Sequence, residues 1–110
     1  VFDYIFETIE KFRPDVRFFI PTGNRSVYDK NPSWQNEDYR RLITRISQRF
    51  SIGLHPSFAA SDNSSILLNE KQRLQSIVSK DIMLSRFHYI KMRFPDSCRN
   101  LIAAGINEDY

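Results

Sequence analysis

An α/β fold built on a parallel sheet is what this sequence predicts, and three observations predict it. Short runs rich in β-branched and aromatic residues alternate with amphipathic stretches of about ten to fifteen residues, the pattern of right-handed βαβ units. Turn chemistry such as Pro21-Thr22-Gly23-Asn24 and Pro56-Ser57 closes the first two runs. The chain of 110 residues is 41% hydrophobic and 26% charged, enough for one domain with one core and too short for two.

The elements follow in chain order. Val1–Phe12 predicts a helix, because Phe2, Ile5, Phe6, Ile9 and Phe12 recur at the three/four spacing of one buried stripe. Arg13-Pro14-Asp15 stops it, since a helix usually ends before the residue that precedes proline. Val16–Ile20 reads as a strand, and Arg25–Asn36 as a long irregular loop holding Tyr28 and Trp34. A second helix is expected from Asn36 to about Phe50, with Tyr39, Leu42, Ile43 and Ile46 inward and Glu37-Asp38 in the first turn, where the helix dipole favours acids. Ser51–His55 is a brief strand ending at Pro56. After a polar loop, Ile66–Ser79 predicts a third helix that buries Leu67, Leu74, Ile77 and Val78. Met83–His88 is expected as a third strand. Pro95–Ala104 predicts a last helix, with proline in the first turn and Gly105 as its stop. Ile106–Tyr110 starts a further strand. The prediction is thus a sheet of about three strands with flanking helices on a single domain, residues 1–110.

Composition excludes several functions. Nine Phe, five Tyr and one Trp supply the apolar area that a disordered chain lacks. The net charge of +3 comes from 16 Lys+Arg against 13 Asp+Glu, and the two signs are interleaved, as in Glu37-Asp38-Tyr39-Arg40-Arg41. A phosphate-tracking protein concentrates its cations on one face, so nucleic acid is not the expected partner. No apolar stretch approaches the ~20 residues of a membrane span. Val1–Phe12 carries Asp3, Glu7 and Glu10 with no basic lead-in, unlike an export signal. The single Cys98 forms no internal disulfide and no thiolate zinc cage. A reducing, cytoplasmic setting is the expectation.

In parallel α/β folds, functional groups gather where strands end at their carboxyl side. Three places qualify: Thr22-Gly23-Asn24-Arg25, His55-Pro56-Ser57 with Ser61 and Asp62 beyond, and Arg86 with His88. His55 stands where an imidazole can serve as metal ligand or proton carrier, or simply as a surface corner residue. Arg86 and His88 are two apart, so on a strand both project to one face while Phe87 faces the helices. A guanidinium and an imidazole on one inward face are costly to bury without partners. Lys91 and Arg93 read as solvated, Cys98 as a packing thiol, and Trp34 and Tyr28 as loop anchors or as sugar-stacking rings. Gly-rich phosphate loops, nucleophile elbows and His-Glu-x-x-His helices are absent from the sequence.

Ile52-Gly53-Leu54-His55-Pro56-Ser57, then Ser85-Arg86-Phe87-His88-Tyr89, then Phe94-Pro95 and Ala104–Tyr110 resemble the polysaccharide deacetylase family, in particular a bacterial branch associated with surface polysaccharides. The resemblance implies a NodB-type partial (β/α) barrel. It also implies a divalent metal, usually zinc, held by one aspartate and two histidines, with water attacking an N-acetyl carbonyl on a sugar and a second aspartate acting as base. His55 matches the first histidine of the family's His-Ser/Thr-x-x-His motif. Arg86 matches the arginine that orients the catalytic aspartate, and His88 resembles a later histidine that serves as ligand or acid. The implied site is therefore Arg86 and His88 as catalytic groups, and His55 and His88 as metal ligands. The sequence departs from the pattern where the motif's second histidine belongs, with Ala59 and Ala60 four and five positions beyond His55.

The family's aspartate pair belongs to a strand that would precede Val1, and its last histidine to strands after Tyr110. The expectation is the middle of an incomplete domain, inactive alone and prone to self-association through open sheet edges. Two functions follow: part of a metal-dependent N-deacetylase acting on acetylated polysaccharide, or a degenerate, non-catalytic module that binds a glycan or a protein.

Overall fold

The computed structural model describes residues 1–12 and 15–110. Four parallel strands form one sheet in the order β1-β2-β3-β4, so consecutive strands are neighbours throughout. β1 is Arg17–Ile20, β2 Ser51–Leu54, β3 Leu84–Ser85 and β4 Glu108–Asp109. The helices α1 (Phe2–Phe12), α2 (Glu37–Arg49), α3 (Ser64–Val78) and α4 (Asp96–Ala103) stand one before each strand. The predicted α/β order and parallel sheet are what the structure has. The expected stop at Arg13-Pro14 lies outside the described residues.

Local chemistry explains the boundaries. α2 starts where the Asn36 side chain accepts the Tyr39 N–H at 2.9 Å, and α3 where Asn63 accepts the Ile66 N–H at 3.1 Å. Such a cap typically contributes about 1 kcal/mol. α4 ends at Gly105, whose φ of +75° is left-handed backbone that glycine adopts without strain. There the Ile106 N–H reaches back to Leu101 O at 2.9 Å and the chain turns into β4.

The core lies between the sheet and α2, α3 and α4. Ile43, Leu54, Leu67 and Leu74 are fully buried there, each stabilising the fold by about 1.5–3 kcal/mol relative to exposure. α1 joins through Phe6, whose ring is 5.6 Å from that of Phe50. Asp3–Arg45 and Glu10–Arg49 ion pairs tie its outer side to α2. The predicted five-residue stripe of α1 is narrower than expected, because Phe2 and Phe12 at its ends are exposed.

β3 departs most from expectation. It pairs with β2 only at Leu54↔Ser85 and ends there. Phe87 turns into the core at 2% exposure, and His88–Ile90 forms a 3-10 turn with Tyr89 and Ile90 both at positive φ. The expectation that Arg86 and His88 share a strand face is therefore corrected: burying Phe87 pulls the chain out of the ladder before His88 is reached.

Candidate functional site

The carboxyl ends of β1, β2 and β3 form one rim. The ladder continues one step beyond β2, where the His55 N–H donates to Ile20 O at 3.0 Å. The His88 N–H donates to Pro56 O at 3.2 Å. These two backbone bonds bring the imidazoles together, with His55 Nε2 2.9 Å from His88 Nδ1.

The outer ring nitrogens fix the tautomers. His55 Nδ1 lies 2.6 Å from Arg86 O and His88 Nε2 lies 2.9 Å from Tyr28 O. A carbonyl only accepts, so each of these nitrogens carries the hydrogen. In the neutral rings the two inner nitrogens then present lone pairs to each other, a vertex able to hold one proton or one cation. Burial lowers the His55 pKa from its ordinary value; the Arg86 carbonyl opposes this, and the His88 and Arg86 charges add to the lowering. Arg86 thus meets His55 through its backbone. Its guanidinium is exposed and forms no ion pair among the described residues.

A cleft of about 340 Å³ opens over the pair, lined by Pro21, Tyr28, Lys30, Asn31 and Tyr89 besides the histidines and Asp29. Tyr28 stacks on Phe58 at 4.1 Å and meets Tyr89 edge-on at 6.4 Å, which builds an aromatic wall. Tyr28 is 50% and Tyr89 66% exposed, so the wall faces solvent. Left-handed backbone at two successive non-glycine residues costs of order 1–3 kcal/mol each and marks a constrained site. Lys91, expected to be solvated, instead pairs with Asp62 at 2.9 Å and sits 3.9 Å over the Phe58 ring.

The other sequence candidates take structural positions. Thr22 is buried and donates to Glu70 O at 2.7 Å, and Asn24 accepts from Arg73 at 3.1 Å. The Trp34 ring packs with the Arg40 and Arg73 guanidinium groups, 6.0 and 5.0 Å from its centroid, anchoring the long loop. Ser61 bonds Phe58 O, within the turn that follows β2. Clefts of about 530 and 550 Å³ lie elsewhere, at the amino ends of β2 and β3 and over the arginines of α2. In barrel-like folds the amino end carries stability rather than chemistry.

Asp29, Lys30, Asn31, Tyr89 and Glu70 have no role among the sequence candidates. Asp29 is buried, accepts from Ser26 Oγ at 2.7 Å and from the Phe58 N–H at 3.2 Å, and approaches His88 Nε2 to 4.0 Å. That approach is to the outer nitrogen, not to the vertex. Asp109 accepts from Ser85 Oγ at 2.5 Å. Among the described residues, no group of three His, Cys, Asp or Glu is placed to hold a metal. Two imidazole nitrogens converge but no carboxylate joins them, so the described residues do not make the Asp-His-His metal centre that the resemblance implies.

No family model matches the sequence, and no curated protein matches it. Among solved structures, a BA3943 mutant described as a CE4 family pseudoenzyme matches with a TM-score of 0.65 and 11% identity, over 96% of this chain and 37% of that one. The fold is CE4-like. A BA3943 mutant described as a CE4 family pseudoenzyme with restored enzymatic activity matches at TM-score 0.65 and 12% identity, over 96% of this chain and 38% of that one. The chain thus spans under two-fifths of the structures it matches, and the likeness at this identity is one of fold.

Proposed function

We propose that this chain forms a carbohydrate-binding rim of a deacetylase-like barrel and does not itself hydrolyse its ligand. The observation that supports it is the cleft in which the His55–His88 pair lies beside the exposed Tyr28–Tyr89 wall. Aromatic faces against which an apolar sugar face can pack, with polar groups fixed around them, are the ordinary composition of a small-ligand site. Lys30, whose ammonium gives only one hydrogen bond within the chain, to Ser26 O, supplies donors for sugar hydroxyls, and the histidine pair a polar floor. One structural neighbour is described as a CE4 family pseudoenzyme, which accords with a rim that binds without turning over, and the other as such a pseudoenzyme with restored enzymatic activity. The ligand class is an acetylated surface polysaccharide. Calorimetric titration with an N-acetylated oligosaccharide tests the reading: Tyr89→Ala weakens binding by about tenfold, equivalent to about 1.4 kcal/mol. Undiminished affinity in that variant overturns it.

A second reading is metal-dependent deacetylation by the whole protein, with His55 and His88 as metal ligands and Arg86 and His88 as catalytic groups. The convergence of the inner nitrogens favours it, because ligating histidines donate their other N–H to carbonyls as these two do. When bound, zinc would supply Lewis acidity and an activated water, and the carboxylates would come from outside the described residues. Zinc titration of the whole protein then shows binding that His88→Ala weakens. Equal affinity in parent and variant rejects this reading.

A further inference from the structure

Glu70 lies on α3, outside the cleft, and is 2% exposed. A buried carboxylate is costly unless hydrogen bonds replace its water. Both of its oxygens are committed to one residue: Oε2 accepts the Ser57 N–H at 2.9 Å and Oε1 accepts Ser57 Oγ–H at 2.5 Å. Gly23, in the turn that follows β1, closes the same junction. A Cβ there would lie 2.7 Å from Glu70 Oε1 and 2.8 Å from Ser57 Cβ.

The Ser57 N–H belongs to the same planar peptide unit as Pro56 C=O, and that carbonyl accepts the His88 N–H at 3.2 Å. One rigid plane therefore carries the buried carboxylate on its N–H side and His88 on its C=O side. His55 immediately precedes it. A carboxylate bonded to an amide N–H also polarises the unit and strengthens its carbonyl as an acceptor.

We infer that Glu70 is a positioning residue of the rim: through the Pro56–Ser57 peptide it sets where His88 stands against His55. This rests on the reading of that pair as the centre of the rim, but its test needs neither sugar nor metal. Nitrogen NMR of the imidazoles in the parent protein shows His55 as the Nδ1–H tautomer and His88 as the Nε2–H tautomer. In folded Glu70→Ala, which removes both contacts to Ser57, at least one ring loses its single-tautomer signature. Glu70→Gln restores it, because the amide presents oxygen to the Ser57 N–H and NH₂ to Ser57 Oγ.

Folded Glu70→Ala with both signatures intact overturns the inference. Should Glu70→Ala fail to give a cooperative melt, Glu70→Asp carries the test, since it withdraws the carboxylate by one methylene and keeps its charge. Loss of a tautomer signature in Glu70→Asp supports the inference, and unchanged signatures overturn it. Failure of sugar binding in a protein with intact signatures counts against the rim's function and leaves the role of Glu70 standing.

Discussion

Two imidazoles whose outer nitrogens are tied to carbonyls and whose inner nitrogens stand 2.9 Å apart have little freedom of their own. Their placement is set by the residues around them, of which Glu70 is the most buried acid. Burial pushes the Glu70 carboxyl up from its ordinary value, against the opposing hydrogen bonds from Ser57. The sign for stability follows. A carboxyl whose folded pKa is raised binds more protons folded than unfolded, so stability falls as pH rises from the unfolded value towards the folded one. Glu70→Gln has no such decline. Thermal melts at pH 4 and pH 7 should therefore show the variant gaining on the parent at the higher pH, and a constant difference would contradict the assignment. The position of Glu70 was open to reading from sequence, being three residues after Leu67 and four before Leu74 on the buried stripe of α3. Asp29 gave no such signal, because it sits in an irregular loop without periodicity.

At the scale of elements, the alternation of runs and helices carried the whole order of the chain, because apolar spacing and caps such as Asn36 and Gly105 are local chemistry. β3 was overestimated for a reason that spacing does not encode. Met83–His88 has strand composition, yet the core takes Phe87, and the chain leaves the ladder after Ser85. The close approach of β3 and of the β1 Phe19 ring to Gly53 on β2 was likewise invisible, although it governs the rim's footing. A Cβ on Gly53 would lie 2.8 Å from Leu84 O and from the Phe19 ring. The ring can turn, but the β3 backbone cannot yield without moving Arg86 and His88. Gly53→Ala should therefore cost about 1–3 kcal/mol. Chemical denaturation measures it, and a neutral variant would show that the strands are looser than described.

For the molecule as a whole, the four parallel strands leave β1 and β4 with one neighbour each among the described residues, and the chain matches 37–38% of the CE4-like structures. The fold class and the nearness of both histidines to the carboxyl ends of strands were legible in the sequence; His55 directly follows β2 and His88 lies three residues beyond β3. What was not legible is the aromatic wall. Tyr28, Phe58 and Tyr89 lie far apart in the chain, and only the positive-φ turn after His88 folds Tyr89 towards the other two. On the proposed function, ligand binds at this rim and not in the roomier clefts. This is tested most directly by NMR titration of the protein with an N-acetylated oligosaccharide, following the ring signals of His55, His88, Tyr28 and Tyr89. Binding at the rim shifts these signals together and to saturation. Shifts confined to the amino-end cleft around Lys80 and Met83, with the four rings unmoved, would contradict it.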